Sequence, residues 1–151
     1  MTHLVGPVYI AHPYWAPTAE GRSRNVGRGA LLSNAVNRLG AATISPLQES
    51  HGRESALTED LWHEHGLVPL RVSKAIVLPR DYHTSSGCVG EFCLARRLGI
   101  QDFHAEWASD LNKWILGEDF AEWVKHEREC LEAQQAYSRS AVGLFTDRWL
   151  P

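Results

Sequence analysis

Lys74-Ala75-Ile76-Val77-Leu78, stopped by Pro79, is the stretch on which the fold turns. A short apolar run bounded by a breaker reads as a strand buried on both faces. Arg80 to Ser86 is polar and reads as a loop. Gly87 to Leu98 then reads as a helix, with Val89, Phe92, Ala95 and Leu98 near one face and Gly99 as its stop. Upstream, Leu57 to Val72 predicts a helix carrying Leu61, Trp62, Leu67 and Leu70, with Gly66 and Pro69 as weak points. Gln48 to Ser55 reads as loop. Ala41 to Ile44 is a second strand closed by Ser45-Pro46. Val26 to Leu39 is a helix with Asn25 at its N-cap and Gly40 at its end, and Tyr14 to Ser23 before it is a loop. Pro7 to Ala11 is the first strand. This alternation, with crossovers long enough for parallel pairing, predicts an α/β domain over residues 1–100. The expected form is a three-layer Rossmann- or flavodoxin-like parallel sheet with the strands at Val8, Thr43 and Ile76 as neighbours.

Past residue 100 the pattern changes. Phe103, Trp107, Leu111 and Trp114 recur at three- and four-residue steps. Phe120, Trp123, Val124 and Leu131 partly repeat them, with Glu127 as a break. Two amphipathic helices joined near Gly117 are the simplest account. Residues 101–151 are thus expected to be a helical C-terminal extension, packed on the sheet domain or on a partner subunit in a homodimer or higher homo-oligomer. The charge also shifts: residues 1–100 carry 10 basic and 8 acidic residues, and 101–151 carry 5 basic and 10 acidic.

The whole chain, 151 residues with 44% hydrophobic and 22% charged, has the composition of one globular domain. A net charge of −3 argues against a duplex nucleic-acid partner. No apolar run approaches the roughly 20 residues that span a bilayer, and the first ten residues do not read as a secretory leader. Cys88, Cys93 and Cys130 have neither disulfide-framework nor zinc-site spacing, so a reducing, cytoplasmic setting is expected.

In an open parallel sheet, ligands bind beyond the carboxyl ends of the strands. That rule selects Ala11 to Tyr14, Ser45 to Leu47 and Arg80 to Gly87. The third is the richest. Ser85, Ser86 and Gly87 sit at a helix N-terminus, where free N–H groups and the helix dipole favour an anion. Glu91 follows one turn in, among small or apolar residues. By spacing alone the same residues also read as an ordinary helix cap with a dipole-complementing Glu.

Val8-Tyr9-Ile10-Ala11-His12-Pro13-Tyr14, Ile44-Ser45-Pro46 and Ser85-Ser86-Gly87-Cys88-Val89-Gly90-Glu91, with Ala95 after it, resemble the nucleoside 2-deoxyribosyltransferase-like superfamily. Within it, the chain resembles the 2′-deoxynucleoside 5′-monophosphate N-glycosidases and, most, the uncharacterised bacterial and phage branches. The resemblance spans Val8 to Ile100. It implies that Glu91 is the nucleophile at C1′ of the sugar, that Ser85 and Gly87 hold the 5′ end, and that Tyr9 lines the pocket. It implies no metal and no organic cofactor. Ser86, His12 and Asp81 join the candidate substrate-binding residues, and Asp81, Tyr82, His83 and His12 are candidates to protonate the leaving base. The chain departs from the family at three places. His12 replaces a Gly, Gly66 stands where an acidic residue is usual four positions after Trp62, and Lys74 replaces an Asp. The helper carboxylate is then either missing or supplied from elsewhere, by Asp60, Glu64 or Asp81.

His63 and His65 are two apart on a helix and point to different sides, so a metal pair is not expected. Phosphate-binding Gly-rich signatures are absent. Arg22, Arg24 and Arg28, before and within the first helix, fit a phosphate contact or, more commonly, a solvated helix face, and the Trp stripe fits core or interface. Two classes of function remain: N-glycosidic bond chemistry on a nucleoside or nucleoside 5′-monophosphate, and a non-catalytic nucleotide-binding or sensing protein with the same pocket.

Overall fold

Aliphatic strands need apolar cover, and the chain supplies it as an α/β fold: a five-stranded, mostly parallel, curled sheet with helices, the last of them C-terminal. The computed structural model describes residues 3–46 and 67–149. In chain order they form β1 (Val5–Ile10), α1 (Ala19–Arg38), β2 (Ala41–Ile44), β3 (Ala75–Pro79), a 3-10 turn (Tyr82–Thr84), α2 (Ser86–Arg97), β4 (Gln101–Ala108), β5 (Lys113–Leu116) and α3 (Glu118–Trp149). Of the helix expected over Leu57 to Val72, residues 67–71 are helical and residues before 67 lie outside the described residues. So does the loop expected over Gln48 to Ser55.

The strands form one sheet in the order β2-β1-β3-β4-β5. β1 pairs in parallel with β2 (Tyr9 with Ile44) and with β3 (Tyr9 with Ile76), so the three expected strands are neighbours with β1 in the middle. β3 and β4 are also parallel, and β4 and β5 antiparallel. Along β3 the side chains alternate between two cores. Ala75 and Val77 join Val5, Val8 and Ile10 of β1, Leu32 and Val36 of α1, and Phe120 and Val124 of α3. Ile76 and Leu78 join Tyr9, Ala11, Leu70, and Cys88 and Ala95 of α2. Each fully buried aliphatic side chain contributes about 1.5–3 kcal/mol. Val5 and Val8 share a core despite their odd spacing because the β1–β2 register shifts between them, at Gly6-Pro7. Gly6 has φ +122°, and a Cβ there would lie 2.9 Å from the Ala42 carbonyl oxygen.

Two expectations are corrected. α1 begins at Ala19, so residues 19–23, read as loop, are helical. Thr18, not Asn25, is the N-cap, and its Oγ1 accepts from the Gly21 N–H at 3.0 Å. The Asn25 amide instead donates to the Tyr14 carbonyl oxygen at 3.0 Å, tying the preceding loop onto the helix. Residues 101–116, expected to be helical, form β4 and β5 and complete the sheet, so only α3 of the expected extension is helix. Phe103, Ala105 and Trp107 alternate inward along β4, and Trp114 and Leu116 do so along β5. A four-residue step is one helical turn but also two strand repeats, so the aromatic spacing fits either. The turn between the strands contains exposed Leu111 and Asn112 at φ +47°.

α3 packs Phe120, Trp123, Val124 and Leu131 on the sheet. Glu127, the break in its stripe, accepts from Lys74 Nζ at 2.9 Å. Among the described residues no helix is long and apolar enough to cross a membrane.

At the end of α1, Gly40 has φ +97°, and the Arg128 guanidinium of α3 occupies the space a Cβ would need. Gly40→Ala is therefore expected to lower stability by about 1–3 kcal/mol in urea unfolding. Adding Arg128→Ala should restore the steric part and leave the backbone part. Equal stability of Gly40→Ala and wild type would contradict this packing.

Candidate functional site

The chain runs from β1 to β2 on one side of β1, then returns to β3 on the other. Loops leaving the carboxyl ends of β1 and β3 therefore part, which is the place where open parallel sheets generally bind ligands. Parallel pairing continues past the strands through Ala11 N–H to the Val77 carbonyl oxygen at 3.0 Å. His12 follows β1, and Arg80 and Asp81 follow β3. The Asp81 carbonyl oxygen accepts from the Thr84 hydroxyl at 2.8 Å and from its N–H at 3.0 Å, folding the loop into its turn. Ser85 then caps α2, its Oγ accepting from the Cys88 N–H at 3.4 Å.

One turn later α2 brings Glu91 to Tyr9. The fully buried Tyr9 hydroxyl donates to Glu91 Oε1 at 2.7 Å. Loss of solvent pushes the Glu91 carboxyl from its ordinary 4.5 up to about 7, and the Tyr9 hydrogen bond pulls the other way. A wholly ionised carboxylate at neutral pH, the expectation for an unperturbed Glu, thus becomes a partly ionised one. Cys88, beside it, is no nucleophile. Burial and then the Glu91 charge push its thiol to about 12.

His12 is half-buried. Its Nδ1 lies 2.9 Å from the Pro13 carbonyl oxygen, and its ring meets Trp114 edge-on at 5.6 Å. Burial lowers its pKa most; the Pro13 bond opposes this, the Arg28 charge adds to it, and Asp81 opposes it. Asp81 is exposed and makes no side-chain cap bond. Ser86 and Gly87 are exposed in the first turn of α2. A Cβ on Gly87 would meet only Ser85 Oγ, at an ordinary 3.8 Å, so no protein contact requires glycine there.

Of the expected site residues, Tyr9 and Glu91 are directly bonded, His12 and Asp81 are linked by charge, and Ser85, Ser86 and Gly87 form the adjoining helix start. Tyr82 is taken up by packing against Phe92 at 4.8 Å and His104 at 5.5 Å. Lys74, bonded to Glu127, lies at the opposite end of β3. Trp62, Gly66, Asp60, Glu64, His63 and His65 lie outside the described residues. Among those described, no group of three or more His, Cys, Asp and Glu side chains is placed to hold a metal ion.

Sequence reasoning set Arg28 on a solvated face. Its guanidinium carbon instead lies 4.8 Å from the centroid of the Trp107 ring, and its carbonyl oxygen accepts from Trp114 Nε1 at 2.8 Å. The available signal was its place one turn before Leu32 and two before Val36, both buried on α1. Ser45, at the end of β2, is buried, and among the described residues its Oγ has no hydrogen-bond partner. A separate groove of about 360 Å³, lined by Arg80, His104, Gly117 and Asp119, contains none of Tyr9, His12 or Glu91.

A scan against protein-family models, a search of the curated proteins and a search of the solved structures each return no match.

The raised carboxyl has a stability consequence. Folding favours protonated Glu91, so its contribution is whole below about pH 4.5 and is lost as pH rises through about 7. Glu91→Gln carries no such penalty. Its stability relative to wild type should grow by on the order of 1–3 kcal/mol between about pH 4 and pH 8 in urea unfolding. A difference that stays constant with pH would contradict the burial of this carboxyl.

Proposed function

We propose that the chain cleaves or transfers the N-glycosidic bond of a nucleoside or nucleoside 5′-monophosphate, with Glu91 as nucleophile. The observation that carries this reading is the 2.7 Å hydrogen bond from Tyr9 to Glu91 beside the start of α2. With it we propose the three-layer flavodoxin-like form of the α/β fold and membership of the nucleoside 2-deoxyribosyltransferase-like superfamily. The parallel order β2-β1-β3-β4 supports that form.

A glycosidic bond to a nucleobase breaks through an oxocarbenium-like transition state, which a carboxylate close to C1′ stabilises. A Glu91 carboxylate oxygen bonds to C1′ as the C1′–N bond breaks, and the base leaves with that electron pair and a proton. His83, on the exposed side of the β3–α2 loop, is the donor for that proton. Water, or a second base, then attacks C1′ and frees Glu91. The open N–H groups of Ser86 and Gly87 suit the 5′ oxygen or phosphate, and glycine at 87 lets a ligand approach the backbone. The Tyr9 hydroxyl orients Glu91 and holds part of it ionised. No metal or organic cofactor is needed for these steps. The cytoplasmic setting and the homo-oligomer belong to the same proposal; free Cys88, Cys93 and Cys130 suit the first, and Tyr137, 77% exposed on the far half of α3, suits the second.

The other reading keeps the pocket without the chemistry. It is favoured by the protonated share of Glu91 at neutral pH, since only the ionised form attacks.

Incubation with a panel of nucleosides and nucleoside monophosphates, with free base read by chromatography, separates the two. Cleavage is expected, and Glu91→Gln should reduce it by about three orders of magnitude or more while still binding nucleotide. Binding without base release would establish the non-catalytic reading.

The pH dependence gives a second test. Wild-type kcat/KM should rise through about pH 7 as Glu91 ionises. Tyr9→Phe removes a bond that favours the ionised form, so its rise should move to higher pH. An unmoved profile would contradict the role of Tyr9.

A further inference from the structure

Strand register sets out the separate groove of about 360 Å³. Leu78 pairs with His104 and Pro79 with Ala105, and the Arg80 N–H donates to the Ala105 carbonyl oxygen at 2.9 Å. On the other side of β4, Ala105 pairs with Leu116, which puts Gly117 level with His104. Arg80, His104 and Gly117 therefore stand in a row across β3, β4 and β5, the two outer backbones about 10 Å apart. Phe103 and Ala105 enter the core that α1 and α3 cover, so His104 between them faces the other side of the sheet. That side is open here: Glu106 and its cross-strand partner Ile115 are both exposed.

We propose that this groove binds a small amino acid in its zwitterionic form, at a site apart from Glu91. Its two walls carry opposite charges. On the β3 side is exposed Arg80, whose one ion pair among the described residues is a long one, Nε to Glu106 Oε2 at 3.7 Å. That leaves the terminal nitrogens of its guanidinium as donors. On the β5 side Asp119 folds back over Gly117. A Cβ on Gly117 would collide with Asp119 Oδ1, which also accepts from the Phe120 N–H at 2.9 Å. Glycine at 117 thus makes room for a carboxylate that is fixed by the start of α3.

His104 lies between the walls. Its Nε2 donates to Asp102 Oδ2 at 2.9 Å, and Asp102 Oδ1 accepts from Arg96 Nε of α2 at 3.0 Å. The ring is held from behind by that pair. A carboxylate oxygen only accepts, so Nε2 carries the hydrogen and Nδ1 of the neutral ring is an acceptor.

The row thus offers a fork of donors on one wall and two acceptors toward the other. A zwitterion carries the inverse set: a carboxylate that only accepts, for Arg80, and an ammonium that only donates, for His104 and Asp119. A simple anion would meet Glu118 and Asp119 in the first turn of α3, and a simple cation would meet Arg80. The volume stands at the small end of the range for ligand sites, which fits an amino acid better than a nucleotide.

The test is titration of the isotope-labelled full chain at neutral pH with alanine, N-acetylalanine and alaninamide, followed by amide NMR. Alanine is expected to give saturable shifts at His104, Gly117 and Asp119. It should bind at least about fivefold more tightly than either singly charged relative. Arg80→Met should make alanine and alaninamide bind equally. Asp119→Asn, which keeps the oxygen that accepts from Phe120, should make alanine and N-acetylalanine bind equally. No saturable shift with alanine, saturable shifts only elsewhere, or either relative binding wild type as tightly as alanine overturns the proposal. Glu91 takes no part, so none of these results bears on the N-glycosidic reading.

Discussion

Parallel pairing of β1 with β3 places Tyr9 opposite Ile76 and sends both strands out of the same edge of the sheet. Both strands are buried on both faces, so their register is held by side chains from two cores at once. A slip of one residue would exchange Ile76 and Leu78 with Ala75 and Val77, and Tyr9 with Val8. The site inherits that rigidity. Tyr9 faces α2 because of its parity in β1, and Glu91 faces Tyr9 because Ser85 starts α2 where it does. A bond between residues 82 positions apart is then a consequence of strand register and a helix cap. It also explains why a carboxylate is held in a place that disfavours its charge: the penalty falls on a single residue that the sheet holds beside its hydroxyl partner.

Much of this frame was legible from residues alone. β2 is found where its short apolar run and Ser45-Pro46 place it, β3 lies within a residue of its run, and α2 begins at its Ser-Gly start. Elements whose pattern has one physical meaning were read correctly in this way. The failures came where a pattern has two. Phe103 and Trp107 satisfy both a helical turn and a strand repeat, and the small Ala105 between them hid the alternation that decides it. Asn25 is a good N-cap residue, but Thr18 also is, and the choice rested on tertiary contacts of the loop before α1.

The site was legible in the same uneven way. Ser85, Gly87 and Glu91 stand out because a loop, a helix start and an early carboxylate are local features. Tyr9 was selected by resemblance, and its hydrogen bond needed the third dimension. Arg28 was missed because its partners, Trp107 and Trp114, lie on strands read as helices. The sheet curls so that β5 meets α1, and this brings Trp114 to His12 although two strands separate β5 from β1. No local pattern encodes that meeting.

The central claim is that Glu91 forms a bond to C1′ at this edge of the sheet. It is tested most directly by peptide mass mapping after acid quench of the protein incubated with a 2′-deoxy-2′-fluoro nucleoside 5′-monophosphate. The fluorine destabilises the oxocarbenium-like states and slows release of a covalent sugar. The expected result is the mass of the fluorinated sugar phosphate on the peptide containing Glu91, absent from Glu91→Gln. Release of base with the adduct on another residue, or with none on any peptide, would contradict it.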